Sequence, residues 1–588
     1  MLVALHSQTA RRVLAGVLLT ASLALVDTPE YLLPCASAAE EAKPKADKPD
    51  DKQPAEKKPA DKNAGQADLD RALEARIDAK TIGDLGEILK LCRRALDQGL
   101  DEENTKFAKK LQASTYYQRG EALAKQVLEP QAPSLQAAQM RVSAVDDLSE
   151  ALAADPEIAE AYILIARLQL MPGGDVKQAR SMLERALTLK NVDPPTRANA
   201  LLMHSAFRTK PEDRLKDLDE AVQLDPGNPQ PLRLRAATKL GLDKPADAVA
   251  DFDAALQLEP DHAATHEARG LALAAQKKWD EAKQSLSKAA ALVPRSPAAV
   301  LQRGRVNLLA GDAKAALSDA EAALKITPDM PEALLLRSQA RQLTGDKRGA
   351  LADVDLLLER FPKAPMALRA RIAYLIDDDR AKDALRDLER LQALEPTDAN
   401  IALQMAVVHH SQKNHAETIA ITDKLLTVDP ANWRALRLRG DAYLSQGNQA
   451  SAIKDYDAAL KVEPKEPGLL NNLAWVLATS PDDKLRDAKR ARELAERACE
   501  ATQYKMPHII STLGAAYAEA GDFDGAKKWL LKALDLAADD DAQKDHLRKE
   551  LASYEKREPW RELQTPDDEK KPDDKPSDDK KSDDSPQK

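Results

Sequence analysis

Aromatic residues make up only 3% of this 588-residue chain, and glycine occurs just 21 times. β-Sandwiches and doubly wound α/β enzymes spend more Val, Ile, Phe, Tyr and Gly on strands and turns, so this poverty argues against both. Cysteine is equally scarce, with three in all. Cys35 sits near the start, and Cys92 and Cys499 lie far apart in helix-like segments, where they read as small buried apolar side chains rather than a disulfide. A basic excess is missing too. Phosphate binding needs a basic face, so the formal charge of −10 argues against nucleic acid as the main partner, and none is expected. No long apolar run exists either: residues 13–26 (VLAGVLLTASLALV) give 14 residues, short of the roughly 20 that span a bilayer as a helix. What remains is rich in Ala and Leu and 31% charged, a composition for many short helices. The length exceeds the roughly 250–300 residues at which a single core stops growing.

Both ends separate from the fold. Arg11-Arg12, the apolar run and Ala36-Ser37-Ala38-Ala39 have the order of a secretory signal peptide over residues 1–39, cleaved after Ala38 or Ala39. The protein is therefore expected to be exported, to the periplasm or cell envelope. Leu32-Leu33-Pro34-Cys35 resembles a bacterial lipoprotein box, with Pro34 where that motif takes a small residue. Membrane contact is expected only if the N-terminal segment is retained or Cys35 is lipidated. Residues 40–66 form a Lys/Asp/Pro linker; its first 23 positions hold seven acids, seven lysines and four prolines. Residues 564–588 form a charged tail with nine acids and six lysines. Neither can bury enough surface to offset the entropy of ordering, so disordered termini are expected.

Between the ends the prolines keep time. Pro226, Pro260, Pro294, Pro328, Pro362, Pro396, Pro430 and Pro464 recur every 34 residues. Each follows a helix-like stretch that a proline would end. Small residues keep the same register: Ala236, Gly270, Gly304, Ser338, Ala406 and Gly440 in one column, broken by Ile372. A second column runs Ala248, Ala282, Ala316, Ala350, Ala384, Thr418, Ala452, and a third runs Ala255, Ala289, Ala323, Leu357, Leu391, Leu425, Ala459. Two short antiparallel helices approach closely only where one side lacks bulk. Turn pairs such as Gly311-Asp312, Gly345-Asp346, Gly447-Asn448 and Gly521-Asp522 place a left-handed residue and then a helix cap between them. A unit of this size cannot bury its apolar face alone, so neighbours must stack.

Gly or Ala in a first helix, two alanines in a second and a closing proline make this chain resemble the tetratricopeptide repeat (TPR) family over most of its length. That resemblance implies an all-α fold, a right-handed α-solenoid of about twelve stacked helix pairs over residues 113–540. Residues 67–112 are expected as atypical N-terminal helices and 541–563 as a capping helix bearing Leu547, Leu551 and Tyr554. The unit at Leu202 is degenerate, with Arg214 where alanine is expected, and the unit at Ala474 carries about five extra loop residues near Ser480–Asp483. The stretches 471–483, 497–502 and 515–526 resemble a C-terminal block of large exported bacterial TPR proteins.

Chemistry is harder to find. The sequence contains no Gly-rich phosphate loop, no Gly-x-Ser-x-Gly elbow and no His-Glu-x-x-His. His262 and His266, four apart, could share a helix face, but zinc would need a third ligand and an enclosed surrounding, and His409, His410 and His415 form only a loose cluster astride a turn. No cofactor, metal or enzymatic activity is expected. In the resembled family the second, fifth, ninth and twelfth residues of each first helix line a concave groove. Here that rule selects Arg233, Arg369 and Arg437 at fifth positions, Arg305 and Asp441 at ninth positions and Arg434 at a second. Guanidinium groups interrupted by leucines suit an extended peptide with carboxylates and apolar side chains. The expected function is a non-enzymatic protein-interaction scaffold of the bacterial cell envelope, with a partner protein or peptide in the groove. The other reading is a membrane-associated accessory factor in envelope biogenesis or secretion.

Overall fold

The computed structural model describes residues 64–128, 135–537 and 541–562. The expected signal peptide, the linker up to residue 63, Cys35 and the tail lie outside the described residues. The described residues form 27 α-helices and one 3₁₀ turn, with no strand among them. They divide into two compact units, residues up to Ala340 and from Arg341 onward.

In the first unit a leading hairpin, Gln66–Asp78 and Ile82–Gln98, opens the array. Its second helix starts with a reciprocal cap: Asp84 N–H donates to Thr81 Oγ1 at 3.1 Å and Thr81 N–H to Asp84 Oδ2 at 2.8 Å. Leu69, Ala72, Ile88, Cys92 and Ala95 close its core. The next helix is unusually long, Glu102–Leu128, and runs straight through residue 112, where the sequence suggested a boundary. Hairpins then follow at the expected register, among them Pro229–Gly241 with Pro245–Leu258, Ala263–Ala275 with Trp279–Leu292, and Ala298–Leu309 with Ala313–Ile326.

Close approach is concentrated where the small columns predict it. Ala248, Ala282 and Ala316 have no exposed surface. A methyl group added to Gly270 would stand 2.7 Å from Leu286 Cγ, inside contact distance. The degenerate unit solves its problem with charge. Arg214 donates to the carbonyls of Ser205 and Arg208 at 3.1 and 3.2 Å, satisfying acceptors where the helix Pro194–Ser205 ends.

The second unit repeats the pattern through Pro365–Asp377 with Ala381–Leu394, Ala399–Ser411 with His415–Val428, and Trp433–Ser445 with Gln449–Val462. Gly345, Gly447 and Gly521 take φ of +92°, +77° and +83°, and Asp346, Asn448 and Asp522 cap the helices that follow. Lys413 and Asp379 occupy the same left-handed position without being glycine. The extra residues after Pro467–Thr479 form the 3₁₀ turn Asp483–Leu485.

The capping helix ends earlier than expected, spanning Asp541–Glu555 with Leu547 and Tyr554 buried. Residues beyond it return as a strap. Glu562 N–H donates to Thr479 O at 3.1 Å and Arg561 Nη1 to Ala478 O at 3.2 Å. The strap thereby meets carbonyls left open at the end of Pro467–Thr479. Arg561 and Arg486 both pair with Glu519, at 2.6 and 2.9 Å.

Candidate interaction groove

The arginines nearest the groove are held by the array itself. Arg233 is buried and ion-paired with Glu259. Arg369 Nη2 reaches Glu395 at 2.5 Å and Asp398 at 3.2 Å. Arg437 lies 3.7 Å from Asp441 and 3.8 Å from Glu466. Arg434 is exposed and stacks over the Trp433 ring at 4.7 Å. Asp441 accepts from Tyr456 Oη at 2.7 Å and Asn472 Nδ2 at 3.0 Å, so it also orients its neighbours. Arg305 differs: half-buried, its hydrogen bond goes to Gln302 Oε1 at 3.4 Å, and burial lowers its proton affinity against the pull of Glu332.

A second register, unnoticed in the sequence, runs beside the groove positions. In the first unit Arg235 pairs forward with Asp251 at 2.6 Å and backward with Asp219 at 2.8 Å, tying three successive helices together. Arg303 repeats the forward pair with Asp319 at 2.6 Å, and Arg269 pairs backward with Asp253 at 2.6 Å. In the second unit Arg371 joins Asp387 and Asp355, and Arg439 joins Asp455 and Asp423. The forward aspartates are buried, with 3–6% of their surface exposed. The signal of this register in the sequence is the 34-residue recurrence of Arg and Asp at these positions.

In the second unit five side chains from the groove positions meet in one place. Leu444 (twelfth), Asn471 (fifth) and Trp475 (ninth), with His508 (second) and Ser511 (fifth), line a cavity of about 300 Å³. His546, Leu547 and Glu550 of the capping helix form its far wall. Glu550 is fully buried and accepts from Ser511 Oγ at 2.8 and 3.0 Å. His546 Nε2 lies 3.2 Å from Glu550, and that hydrogen bond holds the imidazole above its usual pKa. Burial pushes His508 the other way. Asn471 Oδ1 is shielded from water and receives no hydrogen bond. Asn471 and Trp475 keep the 34-residue register from Arg437 and Asp441, whereas the extra residues at 480–487 displace His508 and Ser511 from it. Chemically it offers an aromatic wall, amides and imidazoles, a surface that grips backbone and side chains rather than transforming them.

The other histidines have local roles. His262 caps the helix Ala263–Ala275, its Nδ1 3.2 Å from Thr265 N, and His266 Nε2 lies 2.9 Å from Pro260 O. His410 and His415 meet edge to face at 5.3 Å. Among the described residues no three His, Cys, Asp or Glu side chains are grouped to hold a metal ion. Burial raises the Cys92 and Cys499 thiols to about 11 and about 12. No helix among the described residues is long and apolar enough to cross a membrane.

Stacked helix pairs with lined first-helix faces define a helical-repeat interaction scaffold. Residues 234–297 and 276–331 match a family described as tetratricopeptide repeat, residues 508–540 match another of that description, and residues 440–479 match one described as TPR repeat. With the register and packing above, these place the chain among the tetratricopeptide repeat proteins. Uncharacterized protein y4yS of Sinorhizobium fredii (strain NBRC 101917 / NGR234) is 32% identical over 124 residues, 21% of this chain and 66% of that protein. Among solved structures, a tetratricopeptide repeat protein from Parabacteroides merdae ATCC 43184 is 20% identical, covering 42% of this chain and 97% of its own, with a TM-score of 0.33. Yeast Tom70 is 16% identical, covering 68% of this chain and 96% of its own, also at 0.33.

Proposed function

We propose that this chain is an exported, non-enzymatic scaffold of the bacterial cell envelope that holds an extended segment of a partner protein along its first-helix faces. The supporting observation is the convergence of Leu444, Asn471, Trp475, His508 and Ser511 on one cavity. These are the residues at second, fifth, ninth and twelfth positions, and a half-open cleft with an aromatic wall and amide groups suits a peptide backbone. The signal-like first 39 residues support export. The charge of −10 speaks for a protein partner rather than nucleic acid.

The test is affinity capture of the full chain from its native envelope beside a Trp475→Ala/Asn471→Ala variant, with mass spectrometry of the bound proteins. A partner retained by the wild type and lost by the variant supports the reading. Equal recovery moves the interface away from the cavity and defeats it. Sequencing the mature N-terminus decides localisation: a start near Glu40 fits export with cleavage, and a lipidated Cys35 fits the membrane-associated accessory reading.

A further inference from the structure

The first unit contains two groove charges that form no ion pair within the array: Glu267 and Arg305, the latter drawn only at longer range by Glu332. Glu267, at the fifth position of Ala263–Ala275, keeps only 6% of its surface exposed, and its Oε1 receives no hydrogen bond. Burial raises its proton affinity. Arg305, at the ninth position of the next first helix, Ala298–Leu309, has no carboxylate within ion-pairing distance among the described residues, and its one hydrogen bond is the long contact to Gln302. Elsewhere on these faces the chain supplies the opposite charge itself, as in Arg233–Glu259, Arg369–Glu395 and Arg437–Asp441. A buried charge without a partner destabilises a fold, and removal of one member of such a pair is among the costliest polar changes. A site that sets a buried carboxylate beside a half-buried guanidinium, neither in an ion pair, is poised for a ligand that supplies the counter-charges.

We propose that this face binds an extended peptide carrying a cationic side chain for Glu267 and, four residues away and therefore on the same side of the chain, a carboxylate for Arg305. The inference rests on the groove reading above and specifies its ligand. The spacing follows from geometry. The two first helices pack directly against each other. Neighbouring helices lie about 8–10 Å apart, and the step from fifth to ninth position adds four residues of rise, about 6 Å. The charges are therefore about 10–12 Å apart; four residues of extended chain rise about 13 Å at about 3.3 Å each and bring the side chain back to the same face. Lysine or arginine fits the carboxylate. A partner carboxylate meets the Arg305 fork in the bidentate manner that guanidinium favours.

The experiment titrates the full chain, by fluorescence anisotropy, into fluorescein-labelled alanine–glycine peptides. One carries a lysine and a glutamate separated by three residues, a second has both replaced by glutamine, and two more lack one charge each. The charged peptide is expected to bind at least about ten-fold more tightly than the neutral one. Glu267→Gln should erase the advantage of the lysine alone, and Arg305→Gln that of the glutamate alone. Both variants should also melt at higher temperature than the wild type, because each relieves a buried charge; a structural role would lower the melting point instead. Equal affinity for charged and neutral peptides, a preference unchanged in both variants, or lower melting points overturn the proposal. So does the absence of saturation by the charged peptide up to about 1 mM. Loss of this preference with partner capture still dependent on Trp475 and Asn471 would reject this ligand and leave the groove reading standing; loss of that dependence alone rejects the groove reading.

Discussion

The chain contains its own control for the Arg–Asp staples. Thirty-four residues after Arg371 and Asp387 stand Met405 and Ile421, so one repeat of the second unit replaces the ion pair by two apolar side chains. Asp387 is 3% exposed and accepts from Arg371 Nε at 2.6 Å, Arg371 Nη2 at 2.7 Å and Arg390 Nη1 at 3.0 Å. Arg371 keeps about a fifth of its side chain in contact with solvent and has a second partner in the exposed Asp355. Removing one member of a fully buried pair costs about 3–5 kcal/mol. Because Arg371 can rehydrate and lean on Asp355, Asp387→Ile should cost less, about 2–3 kcal/mol. The double change Arg371→Met/Asp387→Ile should return to within about 1 kcal/mol of the wild type, because apolar replacement of a buried pair is often neutral. Urea denaturation of the full chain, followed by far-ultraviolet circular dichroism, reads both values and supplies the coupling energy of the cycle. If Asp387→Ile leaves the midpoint unmoved, or the double variant is no more stable than the weaker single one, the staples are not what joins these helices.

Other consequences are local. A methyl group at Gly440 would stand 2.8 Å from the ring of fully buried Tyr456, whose hydroxyl is bound to Asp441, so Gly440→Ala should cost about 1–3 kcal/mol in the same denaturation assay. Lys277 is exposed at φ +61°, and Lys277→Gly should raise stability by about 0.5–1 kcal/mol; a loss would mean its side chain contributes contacts that matter. The raised pKa of His546 makes docking of the capping helix pH-dependent. A group with a raised folded pKa contributes its full stabilisation below the unfolded value, near 6.5, and loses it as pH climbs through the folded value. Hydrogen exchange within Asp541–Glu555, corrected for intrinsic rates, should therefore show more protection at pH 5.5 than at pH 8, and His546→Gln should abolish the difference. Equal protection in the wild type would contradict that sign.

Much of the architecture is written in the chain as a period. Prolines and small residues repeat every 34 positions because each helix pair meets its neighbours through the same contacts, so one local solution is reused along the sequence. Turn glycines and their caps were equally legible, since a left-handed backbone at Gly345 or Gly447 and an acceptor one residue later are local demands. Pairing was not local. Which acid answers Arg233 or Arg369 depends on a neighbour 26 residues away that only packing brings within reach. The cavity around Trp475 needs the helix that follows the extra loop, with His508 and Ser511, and a capping helix that turns back to supply His546, Leu547 and Glu550. Isolation is the subtlest outcome of this kind. Glu267 and Arg305 look like any other charges in the sequence, and only the tertiary structure shows that packing takes water from them without placing either in an ion pair.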